Sequence, residues 1–125
     1  MDNKVGEVMI NIHRGREMAD KKTETHRDKV NAVAPALVDL SKRVLFGEVW
    51  ERSGLSKRDR SMITVAALIA TNSSDQLRRH LARALENGVT REEIGEMITH
   101  LAFYCGWPAA MTAGVLANEV FKESK

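Results

Sequence analysis

His80 is the side chain in this sequence best placed for chemistry. Spaced against Leu77, Leu81 and Ala84, it falls on the apolar face of a helix and turns towards the core. An imidazole there must find partners for both ring nitrogens or remain costly. It is either a satisfied core histidine or a general acid–base group or oxyanion donor in a dry pocket, roles that a reference pKa of about 6.5 suits. His100 sits at the edge of another apolar face, beside Met97 and Tyr104, and reads as a boundary histidine. The two lie on different helices without HxxxH or ExxH spacing, so no metal site is expected. Arg60 enters in the first turns of the most apolar helix, where the positive end of the dipole disfavours a cation. That placement implies an anionic neighbour: a glutamate such as Glu48, or a substrate carboxylate held by the guanidinium fork. Cys105 falls on a buried face near a helix C-terminus, where the dipole does not activate a thiolate, and reads as a small hydrophobe. Trp50 and Trp107 read as core or as pocket walls.

Composition narrows the chemistry. The 125 residues are one domain's worth, with 43% hydrophobic and 29% charged residues, values of a globular rather than a disordered chain. Nineteen basic against 17 acidic residues leave a net charge of +2, no electrostatic case for nucleic acid despite a pI of 8.9. A single cysteine excludes an internal disulfide, a CxxC dithiol and a multi-cysteine zinc site. The charged first 22 residues contain no signal-type apolar run, and residues 62–70 are too few to span a bilayer. A cytoplasmic protein with no membrane partner is expected.

The elements that must position these side chains read as helices. Residues 4–19 place Val5, Val8, Met9 and Ile12 on one narrow face, expected to pack on another subunit. The charged residues 20–32 read as a hinge or a solvated first turn. Pro35 opens the next helix, whose stripe Leu37, Leu40, Val44 and Leu45 ends near Gly47. Ser56 caps a helix that is apolar on nearly every side over residues 61–71 and is expected to be buried all round. Residues 75–87 carry Leu77, Leu81, Ala84 and Leu85 inward and stop at Asn87-Gly88. Thr90 and Glu93 form a capping box for residues 91–105, with Ile94, Met97, Ile98, Leu101 and Cys105 inward. Gly106-Trp107-Pro108 then breaks to a last helix with Met111, Val115, Leu116 and Val120 as its apolar positions. The expectation is an all-α chain of about six helices. It forms one domain, 1–125, with an N-terminal helix and charged connection over 1–34 and a helical core over 35–125.

Three passages, GEVWERSGLSKRDRSMITVAAL (47–68), DQLRRHLARALENGVTREEI (75–94) and HLAFYCGWPAAMTA (100–113), resemble the carboxymuconolactone decarboxylase family in order and spacing. The likeness is closest to the single-domain γ-carboxymuconolactone decarboxylase branch. The resemblance implies an alkylhydroperoxidase D-like helical fold with interlocked subunits, commonly a homohexamer, and a cofactor-free site around the helix that bears His80. The superfamily's alkylhydroperoxidase branch carries CxxC and a glutamate. Here those positions are Ser73, Gln76 and a residue near Ser61, so that dithiol route is closed.

The family substrate is an unsaturated lactone with a carboxylate on its γ carbon, which is its own electron sink. The resemblance therefore implies decarboxylation to an enol-lactone without cofactor or metal. Arg60 would bind carboxylate. His80 would stabilise the dienolate oxygen and reprotonate the α carbon, and His100 and Glu48 would orient them. Trp50 and Trp107 would wall the pocket, and the partner is a small lactone or carboxylate. The alternatives are an atypical thiol-redox protein using Cys105, or a non-catalytic helical assembly module.

Overall fold

The computed structural model describes residues 23–124, so the helix expected over residues 4–19 lies outside the described part. Among the described residues there are six α-helices, one π-helical segment and no strand. The chain forms two compact units, one ending at Val49 and the other starting at Trp50.

The first unit holds α1 (His26–Val33), α2 (Pro35–Leu40) and a π-helical segment (Ser41–Val49). The charged stretch expected as a hinge is largely helix α1. Thr25 and Asp28 form a capping box: the Thr25 hydroxyl accepts from the Asp28 N–H at 3.1 Å, and the Asp28 carboxylate accepts from the Thr25 N–H at 3.0 Å. No residue of α1 is buried, so its polar face reads correctly as solvated. Pro35 opens α2, where its missing N–H costs nothing. The stripe expected beyond it is not a buried face. Leu37, Leu40 and Leu45 are exposed, and Val38 is buried instead. The wider π turn shifts the face away from a 3.6-residue period. Gly47 suits that turn, because a Cβ there would stand 3.0 Å from the Lys42 carbonyl oxygen.

The second unit is two helical hairpins: α3 (Lys57–Ala70) with α4 (Ser74–Glu86), and α5 (Arg91–Cys105) with α6 (Trp107–Glu123). Ser56 caps α3, its hydroxyl accepting from the Asp59 N–H at 3.0 Å. Thr90 and Glu93 form the expected box on α5. Gly88 follows α4 with φ of +95°, a conformation that a Cβ would strain. The core runs through Val65 and Ile69 of α3, Leu77, Leu81 and Ala84 of α4, Ile94 of α5, and Ala113, Ala117 and Val120 of α6. Each large aliphatic side chain buried there contributes about 1.5–3 kcal/mol.

Two faces differ from expectation. Helix α3 is not enclosed within the chain: Ser61, Val65 and Ile69 are buried, while Ile63, Ala67 and Ala70 face out. Helix α6 buries alanines, Ala109, Ala110, Ala113 and Ala117, with Val120, and exposes Met111 and Val115. Small side chains let α6 approach both α4 and α5 closely.

Candidate active site

Helix α4 sets the site. Its buried face, Leu77, Leu81 and Ala84, fixes the rotation of the helix. At 100° per residue His80 and Arg83 then share one flank of that face, three residues apart. His80 is half-buried at the edge of the core rather than inside it. Trp50, the first residue of the second unit, is 8% exposed. Its ring stacks with the imidazole at 6.1 Å between centroids and 29° between planes. The Arg83 guanidinium carbon lies 5.8 Å from the centroid of the Trp50 ring. One buried indole thus holds a histidine and an arginine side by side.

The electrostatics follow from that placement. Burial, then the cations of Arg83 and Arg79, push the His80 pKa below its usual 6.5. The imidazole is therefore neutral at physiological pH, with one N–H to donate and one lone pair to accept. A substrate anion would reverse part of that shift.

Arg60 lies at the start of α3. One terminal nitrogen donates to the Arg52 carbonyl oxygen at 3.1 Å, which ties the loop after Trp50 to the helix. Its Nε is buried and, among the described residues, has no hydrogen-bond partner. A buried donor left so costs about 1–3 kcal/mol, which an anionic acceptor would recover. Ser61 beside it is fully buried and accepts from Asn87 Nδ2 at 2.9 Å. That bond joins the start of α3 to the end of α4, so Arg60 and Arg83 lie at the same end of this hairpin.

The other sequence candidates are His100, Trp107, Glu48 and Cys105. His100 is exposed on α5, and its ring meets Tyr104 at 4.8 Å. Trp107 is 60% exposed and meets Phe103 edge-on at 5.7 Å. It lines an apolar groove of about 450 Å³ between α5 and α6, with Ile98, Ala102, Met111 and Val115. Glu48 is exposed on the π-helical segment of the first unit. Cys105, expected on a buried face, is only partly buried at the end of α5, because Ala102 takes the inward position. Among the described residues no three His, Cys, Asp or Glu side chains gather where a metal ion could sit. No described helix is long and apolar enough to cross a membrane.

Arg83 is the residue that sequence reading passed over. Its signal was its place one turn beyond His80 on the same flank, readable only once a partner for that flank is known.

Comparison with known proteins adds a lineage. The model of the carboxymuconolactone decarboxylase family matches residues 35–119. A 4-carboxymuconolactone decarboxylase of Acinetobacter baylyi is 46% identical over 81 residues, 65% of this chain and 60% of that protein. A nitrosuccinic acid decarboxylase of Metarhizium robertsii is 35% identical over 78 residues, 62% of this chain and 54% of that protein. An uncharacterized 15.0 kDa protein of Paracoccus denitrificans is 32% identical over 80 residues, 62% of this chain and 60% of that protein. The chain thus spans less than two-thirds of the length of each of these relatives.

Proposed function

The chain belongs to the carboxymuconolactone decarboxylase family, and from that premise we propose that it is a carboxy-lyase acting on a small γ-carboxylated unsaturated lactone. The observation that carries the reading to this chain is the buried Arg60 Nε, a cationic donor with no hydrogen-bond partner among the described residues. The named relatives support the substrate class. One acts on a carboxylated lactone and the other on nitrosuccinic acid, a dicarboxylic acid.

The chemistry asks little beyond these residues. The C–C bond to the carboxylate breaks, carbon dioxide leaves, and the electron pair runs through the ring double bond to the lactone carbonyl oxygen. Arg60 holds the carboxylate. Neutral His80 donates a hydrogen bond to the oxygen as its negative charge grows, an interaction made mainly in the transition state. With the anion bound, His80 also takes up a proton more readily and can deliver it to the α carbon. The Trp50 indole covers the imidazole and keeps water from the dienolate. His100 and Glu48 are the candidates for orienting groups, and Trp107 for a wall, the exposed His100 and Trp107 through an assembly of subunits. We read that assembly as a homohexamer, with the apolar groove of α5 and α6 as subunit interface. The family match runs through both units, which supports one domain. The thiol reading lacks a second sulfur, since Cys105 is the chain's one cysteine.

The test is carbon dioxide release from a γ-carboxylated unsaturated lactone, followed by the ultraviolet change of the conjugated ring. Wild type should turn over, and His80→Gln should lose about 10²–10³ in kcat with KM changed little. No release by wild type sinks the reading. A folded His80→Gln with the wild-type rate makes His80 a core histidine.

A further inference from the structure

We propose that α6 pairs with α6 of a second copy of this chain about a two-fold axis, the two helices running antiparallel and crossing at Gly114. The inference rests on the reading of the α5–α6 groove as a subunit interface and names the surface that covers it. The groove continues past the stretch described above. A second stretch of about 270 Å³ runs on past Gly95 to Phe121. Ile98, Gly114 and Asn118 line both stretches, so the two join beside Gly114. Along them α6 presents Trp107, Met111, Gly114, Asn118 and Phe121, which step by four, three, four and three residues. That is the seven-residue repeat by which two helices pack along a common seam. Within the chain α6 packs through a different face, that of Ala109, Ala113 and Val120.

Glycine is a poor helix residue, and inside one chain Gly114 has no packing reason to be there. A Cβ at that position would meet nothing within 4 Å, and Gly95 of α5 is open in the same way. A second helix laid across Gly114 uses that space, since the absence of a Cβ lets two backbones come close. The stripe is also its own complement. Trp107 stands seven residues before Gly114 and Phe121 seven residues after it. In an antiparallel pair centred on Gly114, Trp107 of each copy falls against Phe121 of the other, about 10.5 Å from the axis. Asn118, four residues after Gly114, likewise falls against the small Ala110, four residues before it, so large meets small. Among the described residues no charged side chain lines either stretch, which suits neither nucleic acid nor a charged peptide. Of the polar groups there, the Thr99 hydroxyl is already engaged, donating to the Gly95 carbonyl oxygen at 2.9 Å.

The experiment follows mass by light scattering over a dilution series for wild type, Gly114→Ala and Gly114→Leu, with circular dichroism on each. In the single chain both substitutions should keep or raise helicity, because the added atoms meet no neighbour and both residues favour helix. At the crossing they hold the backbones apart. Gly114→Leu should therefore raise the concentration at which half the subunits leave the assembly by about tenfold or more, and Gly114→Ala by less. A monomeric wild type, or a folded Gly114→Leu that dissociates as wild type does, overturns the proposal. Cysteine pairing in a Cys105→Ser background locates the axis. Gly114→Cys should form a disulfide with its own copy under mild oxidation, since a residue on a two-fold axis meets itself. Phe121→Cys alone should not, its copies standing about 21 Å apart, whereas Phe121→Cys mixed with Trp107→Cys should give a cross-linked pair. If Gly114→Cys does not fold, that mixed pair decides, and its absence overturns the proposal. Monomeric wild type that binds phosphatidylcholine vesicles makes the groove a membrane surface and also overturns it. Carbon dioxide release by wild type tests the decarboxylase reading separately. A seam that depends on Gly114 without turnover sustains this inference and removes that reading, and turnover with a mass that ignores Gly114 does the reverse.

Discussion

Arg60 fastens the Arg52 carbonyl with one terminal nitrogen, while its buried Nε has no hydrogen-bond partner among the described residues. A substrate carboxylate is present from the moment of binding, so Arg60→Gln should raise KM and lower kcat/KM by about 10–100-fold, with kcat less affected. Steady-state kinetics on a variant with a retained melting curve checks this; a wild-type KM would return Arg60 to a purely structural role. His80 makes a second prediction through its proton. The folded chain holds its pKa below 6.5, so as pH falls the unfolded chain is protonated there first. His80 therefore subtracts stability as pH falls through 6.5 towards the lowered value, and does nothing above it. Urea unfolding at pH 7.5 and pH 5.5 should show a smaller loss in His80→Gln than in wild type; equal losses would mean that the imidazole titrates normally. Both residues stand out in the sequence because each breaks a local rule, a polar ring on an apolar face and a cation at a helix N-terminus. Arg83 breaks no rule alone, and its contact is with the ring of Trp50, a residue from far earlier in the chain. His100 was read from periodicity at the edge of an apolar face and Glu48 as an anionic neighbour for Arg60, and both are exposed.

Helix starts were the most readable elements, because a cap is a contract between residues three apart. Thr90 and Glu93 keep it in the structure, and Glu93 also pairs with Arg58 of α3, so one carboxylate closes α5 and ties it across the core. The Arg58 pair and the Thr90 N–H hold the Glu93 pKa at about 2, below its usual 4.5. The stabilisation from this group is present above 4.5 and is lost as pH falls from there towards about 2. Thr90→Ala should cost about 1 kcal/mol at pH 7. Glu93→Gln should destabilise at pH 7 and lose most of its gap to wild type by pH 2.5; denaturant midpoints at both values decide, and an undiminished gap in acid would show that packing, not charge, is lost. Faces were read less well than starts. Of the apolar positions read on α6, Val120 is buried but Met111 and Val115 are exposed, and alanines fill the buried face, because helices that approach closely select small side chains over greasy ones. Beyond α2 the turn widens to a π-helix, and a 3.6-residue template cannot follow it.

At the scale of the molecule, the apolar side chains exposed among the described residues argue for company. Phe103 and Tyr104 are 76% and 77% exposed, Met111 63% and Val115 59%, and all four lie on α5 and α6. The groove between those helices is lined largely by apolar side chains. Helix α3, apolar nearly all round, also shows Ile63 to solvent. Exposed apolar side chains of this kind on a small domain mark an interaction site, and a second copy of the chain offers the same surface in return. Wild type should therefore run well above 14.0 kDa in light scattering at micromolar concentration, with a melting temperature that rises with concentration. Met111→Glu with Val115→Glu should shift the mass towards 14.0 kDa while helicity by circular dichroism is kept, since neither side chain is part of the core. The charges would sit unpaired in a desolvated contact, a cost of several kcal/mol per copy that a modest interface cannot absorb. A wild type that is already monomeric removes the assembly. A double variant that keeps the wild-type mass moves the interface away from this groove and leaves the outer face of α3 as the surface to test next.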